Sequence, residues 1–307
     1  MPELPEVETT TRGLQKEVAG LTIKDIWTDL DSKDKRQKEN VANKEYFKYF
    51  KKEVVGTKII QAERRAKNIL LHLSNKKTIL IHMKMTGHLI YGEYEKYKKE
   101  GIEAYRAKDK NPKNPLNDPF NRFVHVIFTL SNKKHLAFCD ARKFGKITLL
   151  ETENREQSKH LKNTGPEPLS KEMHPRKLKE ILNKKQKGKI KTVLMDPSII
   201  AGIGNIYSDE ILWYSGIHPE RQIFEIKETE IKVIFTNMQK LLAKGIDFGG
   251  DSMSDYRNIY GLPGEFQLEH KAYRRAGEKC LKKNCKGVII RKIINGRSGH
   301  FCSHHQR

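Results

Sequence analysis

The 307-residue chain carries 60 Lys and Arg against 38 Asp and Glu, a formal net charge of +22. Its length allows a sizeable core in two or more domains, and its charge points to a polyanionic partner, nucleic acid first. No apolar run approaches the roughly 20 residues that span a bilayer, and Glu3, Glu6 and Glu8 stand where a signal peptide has a basic region, so an intracellular, cytoplasmic protein with no membrane partner is expected.

The opening MPELPEVE reads as a helix start: Pro5 suits a first turn, Glu6 and Glu8 suit its positive end, and Gly20 can end the helix. The next part of the chain is mainly strand-like. Residues 54–60, 69–74, 78–90, 124–130, 135–139 and 146–150 are rich in β-branched and aliphatic side chains. In ILIHMKMTG the alternation places Ile81, Met83 and Met85 on one face, His82 and Lys84 on the other. Many short strands behind one helix predict a β-sandwich. The Lys-rich stretches 31–50 and 94–121 read as insertions or long loops.

TGPEPLS at 164–170 reads as a linker, after which the pattern turns helical. Leu178, Ile181 and Leu182 share a face, and Ile231, Ile234, Met238, Leu241 and Leu242 follow the 3.6-residue period. Residues 249–264, rich in Gly, Ser and Asp, read as a long loop. The expected layout is α+β: a β domain over 1–163, a linker over 164–170, a helical domain over 171–265 and a terminal module over 266–307.

Within the helical part, Gly202, Gly204 and Asn205 precede a helix, so backbone N–H groups and Asn205 can meet a phosphate. Residues 171–191, with nine Lys and Arg against two Glu, extend that into a phosphate track. The terminal module pairs Cys280-x4-Cys285 with Cys302-x2-His305, a spacing that converges on one tetrahedral Zn²⁺. In a reducing compartment such clustering favours a metal over disulfides. GVIIRKIINGRSGHF between the pairs is a strand, an Asn-Gly turn and a strand, the hairpin of a zinc ribbon. His304 is an alternative fourth ligand; the two-residue gap favours His305. Four ligands close the site, so the zinc is structural, and Arg297 past the turn faces a phosphate.

In order along nearly the whole chain, PELPEVE, RRAK (64–67), HMKMTGHL (82–89), DARKFG (140–145), GIGNIYSDE, the GGDSMSDY loop and the ribbon resemble the formamidopyrimidine-DNA glycosylases, the Fpg branch of the Fpg/Nei family. The resemblance implies an eight-stranded β-sandwich, a helix–two-turn–helix domain and a zinc finger, with damaged double-stranded DNA in the cleft between the halves and the protein a monomer. The implied activity is a bifunctional glycosylase and abasic-site lyase that excises 8-oxoguanine and formamidopyrimidines from a flipped-out nucleotide in base excision repair.

By the same resemblance Pro2, freed of Met1, is the nucleophile, Glu3 its acid, Glu6 the support of Glu3, and Lys67 an aid to β-elimination. Arg297 serves the last elimination and phosphate binding. Met85, Arg142 and Phe144 fill the gap left by the flipped base. Lys187, Lys191 and Asn205 hold phosphates, and the loop Met253, Ser254, Asp255 and Tyr256 closes over the base. The chain departs from the usual pattern in its Cys-x4-Cys pair and His305, in Ala141 and Lys143, and in Phe123, where many relatives carry a DNA-contacting His. The alternatives are a Nei-type enzyme for oxidised pyrimidines, disfavoured by Leu4 and the long 249–264 loop, and a non-catalytic zinc-ribbon DNA-binding protein.

Overall fold

Pro5 sits in the first turn of α1 (Leu4–Glu17), where its missing N–H leaves no bond unmade. Val7 and Leu14 on one face of that helix enter the largest apolar cluster of the chain. This computed structural model describes residues 1–34, 37–253 and 255–307. The chain divides into two compact units, Met1–Lys162 with Gly249–Glu265, and Asn163–Phe248 with Phe266–Arg307.

The first unit continues with β1 (Ile23–Thr28), α2 (Lys44–Val54), β2 (Ile59–Arg65), β3 (Asn68–Leu73), β4 (Lys77–His82), β5 (His88–Gly92), β6 (Tyr94–Lys99), β7 (Ile102–Ala107), β8 (Val124–Leu130), β9 (His135–Cys139) and β10 (Lys146–Glu151). Among the described residues it holds two four-stranded sheets, ordered β1-β8-β9-β5 and β10-β4-β3-β2. All their neighbouring strands run antiparallel. Ile26, Val126, Phe128 and Phe138 from one sheet meet Ile69, Leu71, Ile79 and Ile81 from the other in one core. This is the expected sandwich.

β1 lies outside the strand-like stretches of the sequence, and three other stretches differ from the sequence reading. Residues 78–90 are not one strand: β4 ends at His82, Lys84 adopts a φ of 56°, and β5 starts at His88 in the opposite sheet. Met83 stays in the core while Met85 is turned out, 39% exposed, because alternation holds only while a strand stays in its sheet. The 31–50 stretch, of which Lys35 and Arg36 lie outside the described residues, is not all loop. Asn43 Oδ1 caps Tyr46 N at 2.9 Å, and α2 follows with Phe47, Phe50 and Val54 packed on the core at helical spacing. Val54 thus ends a helix instead of opening a strand. The 94–121 stretch holds the β6–β7 hairpin, turned at Glu100 and Gly101 with φ of 52° and 81°. Tyr94, Tyr105 and Leu116 pack with Ile90, Ile127 and Ala137, so the insertion forms a third layer over the β1-β8-β9-β5 sheet.

The second unit carries α3 (Pro175–Leu182), α4 (Ile190–Leu194), α5 (Asn205–Ser215), α6 (Glu228–Asp247) and the hairpin β11 (Ile289–Ile294) and β12 (Arg297–Cys302). Leu178, Ile181, Leu182, Ile234, Met238 and Leu242 form its core, as the 3.6-residue period predicts. Tyr207 stacks on Phe266 with ring centroids 4.8 Å apart. Gly245 is required beside it, since a Cβ there would lie 2.4 Å from the Tyr207 hydroxyl. The hairpin joins this unit through Cys302 and Ile289, which pack on Trp213 of α5. Residues 249–265 do not cluster with the helical residues before them. Hydrogen bonds to α1 hold them to the first unit. Among the described residues no helix is long and apolar enough to cross a membrane.

Candidate active site and metal centre

Pro2 and Glu3 are buried at the start of α1, with Glu3 as its N-cap. One turn on, Glu6 Oε2 accepts from Glu3 N at 2.6 Å and its Oε1 accepts from Asp251 N at 2.7 Å. Burial, then repulsion from the Glu3 carboxylate, pushes Glu6 up to about 7, against two N–H groups that pull it down. Sequence reasoning assigned Glu6 to the support of Glu3 and missed its second bond, to a donor far along the chain. Tyr256 makes a parallel tie: its hydroxyl donates to Glu6 O at 3.0 Å and lies 3.3 Å from Thr10 Oγ1. Tyr256 is therefore a buried anchor of the loop, which corrects its expected place over the base. Met253 is exposed and Asp255 half-buried, while Ser254 lies outside the described residues.

Lys67 stands in the two-residue turn joining β2 and β3, where Ala66 takes a φ of 56°. Nearby His82 is driven down to about 3 by burial first, then by the Lys84 and Lys67 ammonium groups. His82 is thus neutral, and its Nδ1 accepts from Lys84 N at 3.0 Å. The two lysines share their surroundings with a polar ring that adds no positive charge.

Asp140 shapes DARKFG. Its Oδ2 accepts from Gly145 N at 2.7 Å, its Oδ1 from Arg142 N at 3.2 Å, and Thr86 Oγ1 donates to it from the β4–β5 turn. Gly145 has no room for a side chain, as a Cβ would lie 2.2 Å from the Phe138 ring. The turn holds Phe144 half-exposed, with the Arg142 guanidinium 4.6 Å from its ring centre. Met85 and Phe144 are therefore not core residues. Two turns tied through Thr86 and Asp140 present them on the surface of the first unit.

In the second unit Gly204 caps α5 and Asn205 opens it. Asn205 Nδ2 donates to Ser298 Oγ at 3.2 Å, joining the glycine-rich turn to the ribbon residue beside Arg297. Lys187 and Arg297 are exposed. Lys191 is not: only 1% exposed, it donates to Asp209 Oδ1 at 2.6 Å and Ser208 Oγ at 3.0 Å. Asp209 Oδ2 accepts in turn from His300 N at 2.9 Å. A buried ion pair of this kind cannot reach a phosphate, so Lys191 is corrected from a DNA contact to a fastening between α4, α5 and the ribbon.

Cys280, Cys285, Cys302 and His305 bring one donor atom each to a common centre, all within 4.8 Å of one another. Sγ of Cys280 lies 3.3 Å from His305 Nδ1, and the Sγ atoms of Cys285 and Cys302 are 3.5 Å apart, with no disulfide formed. The His305 Nε2 is held at 3.0 Å from Trp213 O, which aims Nδ1 at the thiols. His304 is exposed and approaches the centre only through its backbone N–H, 3.4 Å from Cys302 Sγ. Three sulfurs and one imidazole in this arrangement fit a metal ion with His305 as fourth donor.

A model of the formamidopyrimidine-DNA glycosylase N-terminal domain matches residues 1–147, and one of the H2TH domain of the same enzymes matches residues 164–257. The formamidopyrimidine-DNA glycosylase of Carboxydothermus hydrogenoformans is 36% identical over 307 residues, covering 100% of both chains. That of Bacillus subtilis is 33% identical, covering 99% of this chain and 98% of its own. The chain belongs to the formamidopyrimidine-DNA glycosylase family. Among solved structures, Lactococcus lactis Fpg in complex with DNA containing an abasic site is similar at a TM-score of 0.80 and 28% identity, over 99% of each chain. A mutant of that Fpg, in complex with DNA containing Fapy-dG, gives a TM-score of 0.79 at 29% identity, over 98% of each chain.

Membership makes the chain a DNA glycosylase acting on damaged DNA. Its departure at Phe123 is not offset by His125, which is buried with Nδ1 2.8 Å from Asp29 Oδ1. The Glu6 site of this glycosylase also predicts a pH dependence. Glu6 titrates near 4.5 when unfolded and about 7 when folded, so between those values the folded chain keeps a proton that the unfolded chain has lost. Stability then falls as pH rises through that window, by about 3 kcal/mol in total. Glu6→Gln lacks this titration, so urea unfolding of the first unit across the same window should give a correspondingly flatter profile.

Proposed function

We propose that this family member is a bifunctional glycosylase and abasic-site lyase of base excision repair that removes 8-oxoguanine and formamidopyrimidines from double-stranded DNA. The observation that carries the reading is the buried start of α1, where Pro2, Glu3 and the doubly bonded Glu6 are gathered. With Met1 removed, the Pro2 nitrogen attacks C1′ of the flipped nucleotide. The C1′–N bond to the base breaks and the proton shed by the attacking nitrogen goes to the departing base. Glu3 then protonates O4′ as the C1′–O4′ bond opens, while Glu6 holds the backbone of Glu3 in place. A secondary amine cannot give a neutral imine, so the adduct is an iminium. Its positive charge accepts the electrons of β-elimination of the 3′ phosphate, assisted by Lys67, and then of δ-elimination of the 5′ phosphate.

Arg297, Lys187 and Asn205 bind phosphates, while exposed Phe144 with Met85 and Arg142 enters the gap left in the duplex. The outer part of the 249–265 loop, with Met253 and Asp255, covers the flipped base. The metal is one structural Zn²⁺, bound by Cys280, Cys285, Cys302 and His305; it supplies no chemistry because four donors leave no open position. The protein acts inside the cell, as a monomer, away from membranes.

Duplexes carrying 8-oxoguanine or thymine glycol test the substrate assignment. Excision rates should favour 8-oxoguanine opposite cytosine. A preference for thymine glycol reassigns the enzyme to oxidised pyrimidines, and binding without release of either base removes the enzymatic reading.

A further inference from the structure

Besides Ile259, which packs in the core with its O accepting from Tyr91 N at 2.7 Å, and Tyr260, whose hydroxyl donates to Glu17 Oε1 at 2.9 Å, the 249–265 loop has two further feet in the first unit. The first is the contact of Asp251 and Tyr256 with Glu6. The second is made by the segment before β8, the end of the stretch that the sequence reads as an insertion or long loop. Arg257, 7% exposed, donates from Nε to Asp118 Oδ2 at 3.0 Å, and its guanidinium lies 4.5 Å from the centre of the Phe120 ring. Arg257 also donates to Tyr256 O at 2.8 Å, which couples the two feet. Asn121, buried, accepts from His88 Nε2 at 2.9 Å through Oδ1, and its Nδ2 donates to Pro115 O at 2.8 Å and Gly261 O at 3.3 Å. Gly261 is needed at that contact, since it has a φ of 83° and a Cβ would lie 2.7 Å from Pro115 O. Leu116 roots the segment in the apolar layer over the β1-β8-β9-β5 sheet.

We propose that residues 111–121 are a positioning element of the glycosylase: Asp118, Phe120 and Asn121 fix the far foot of the 249–265 loop and thereby set how well it holds a flipped base. The role rests on that loop closing over the base. Asp118 is poised for this because its Oδ1 already accepts from Phe120 N at 2.9 Å, so a single carboxylate orders its own turn and grips Arg257. A charge-assisted bond with a half-buried partner exceeds the worth of an exposed pair, and its loss loosens the loop between the Glu6 contact and the core-packed Ile259.

Asp118→Asn, which keeps the bond to Phe120 N, and Arg257→Met serve as separate probes in the full-length protein. Hydrogen exchange of peptides spanning 249–260 should quicken by about tenfold, the equivalent of one charge-assisted bond. Excision of 8-oxoguanine should slow by a similar factor, while cleavage of a preformed abasic site, which has no base to hold, stays unchanged. Arg257→Lys should recover part of the excision. Unchanged exchange in both variants overturns the anchoring. Quickened exchange with unchanged excision overturns the role in base recognition. A protein lacking residues 252–255 that still excises normally fails the loop reading itself, while the exchange result stands apart from it.

Discussion

Pro2→Gly should form the borohydride-trapped adduct with 8-oxoguanine DNA on the order of a hundredfold more slowly than the unsubstituted protein. Both proteins end in an amine once Met1 is gone, so the loss does not come from the absence of a nucleophile. It comes from two properties of the ring. The ring forbids rotation about the N–Cα bond at the entrance to α1, where the next residue is already the N-cap, so the lone pair of the attacking nitrogen keeps one direction; a glycine amine rotates freely. Once the iminium has formed, the pyrrolidine nitrogen carries no further proton to lose, so its adduct retains the charge that drives elimination, whereas the glycine iminium can lose its N–H proton and become a neutral imine. A protein that keeps Met1 has an amide at the Pro2 nitrogen and should trap nothing. Equal adduct yields from Pro2→Gly and the unsubstituted protein, measured by gel shift of the cross-linked species, rule out the contribution of the ring, and an adduct formed by the protein that keeps Met1 rules out this nitrogen as the nucleophile.

The parts of the molecule legible in the sequence are those whose cause is local. A first-turn Pro5 with Glu6 beside it marks α1, β-branched runs mark most strands of the sandwich, and the spacing of Cys280, Cys285, Cys302 and His305 marks the metal tetrad. What escaped was decided by distant partners. The parity of Met83 and Met85 broke because the chain changed sheets between them. In a Lys-rich stretch, α2 is announced only by Asn43 and three apolar residues, and the covering tyrosines of β6 and β7 look polar until the sheet beneath them is known. Lys191 belonged to a basic run by sequence, yet Asp209 claims it in the folded chain. Tyr256 stands in a stretch rich in Gly, Ser and Asp that reads as a long loop, and its hydroxyl is buried on α1. Motif identity located these residues; only the fold separates those that face outward from those that fasten the frame.

Removing the metal should cost the ribbon its structure and the protein its DNA affinity while sparing the first unit. β11 is mostly exposed along its length, and the ribbon's buried apolar side chains are few, Cys280, Ile289 and Cys302 in a small cluster with Trp213, together with Ile294 and Phe301. So small a core does not hold a hairpin in place, and four donors closing on one ion would supply what it lacks. The consequence spreads by way of Ser298 to Asn205 and of His300 to Asp209, because both bonds need β12 in its folded position. Zinc analysis should give one ion per chain for the unsubstituted protein and for His304→Ala, and much less for His305→Ala and Cys302→Ser. The zinc-poor variants should bind duplex DNA at least about tenfold more weakly, as Arg297 and the Asn205 turn lose their common frame. The sandwich should unfold at an unchanged urea concentration, since no ligand of the metal belongs to the first unit. Full zinc and full DNA affinity in Cys302→Ser would remove the site from the structure of the ribbon, and loss of zinc from His304→Ala alone would move the fourth ligand by one residue.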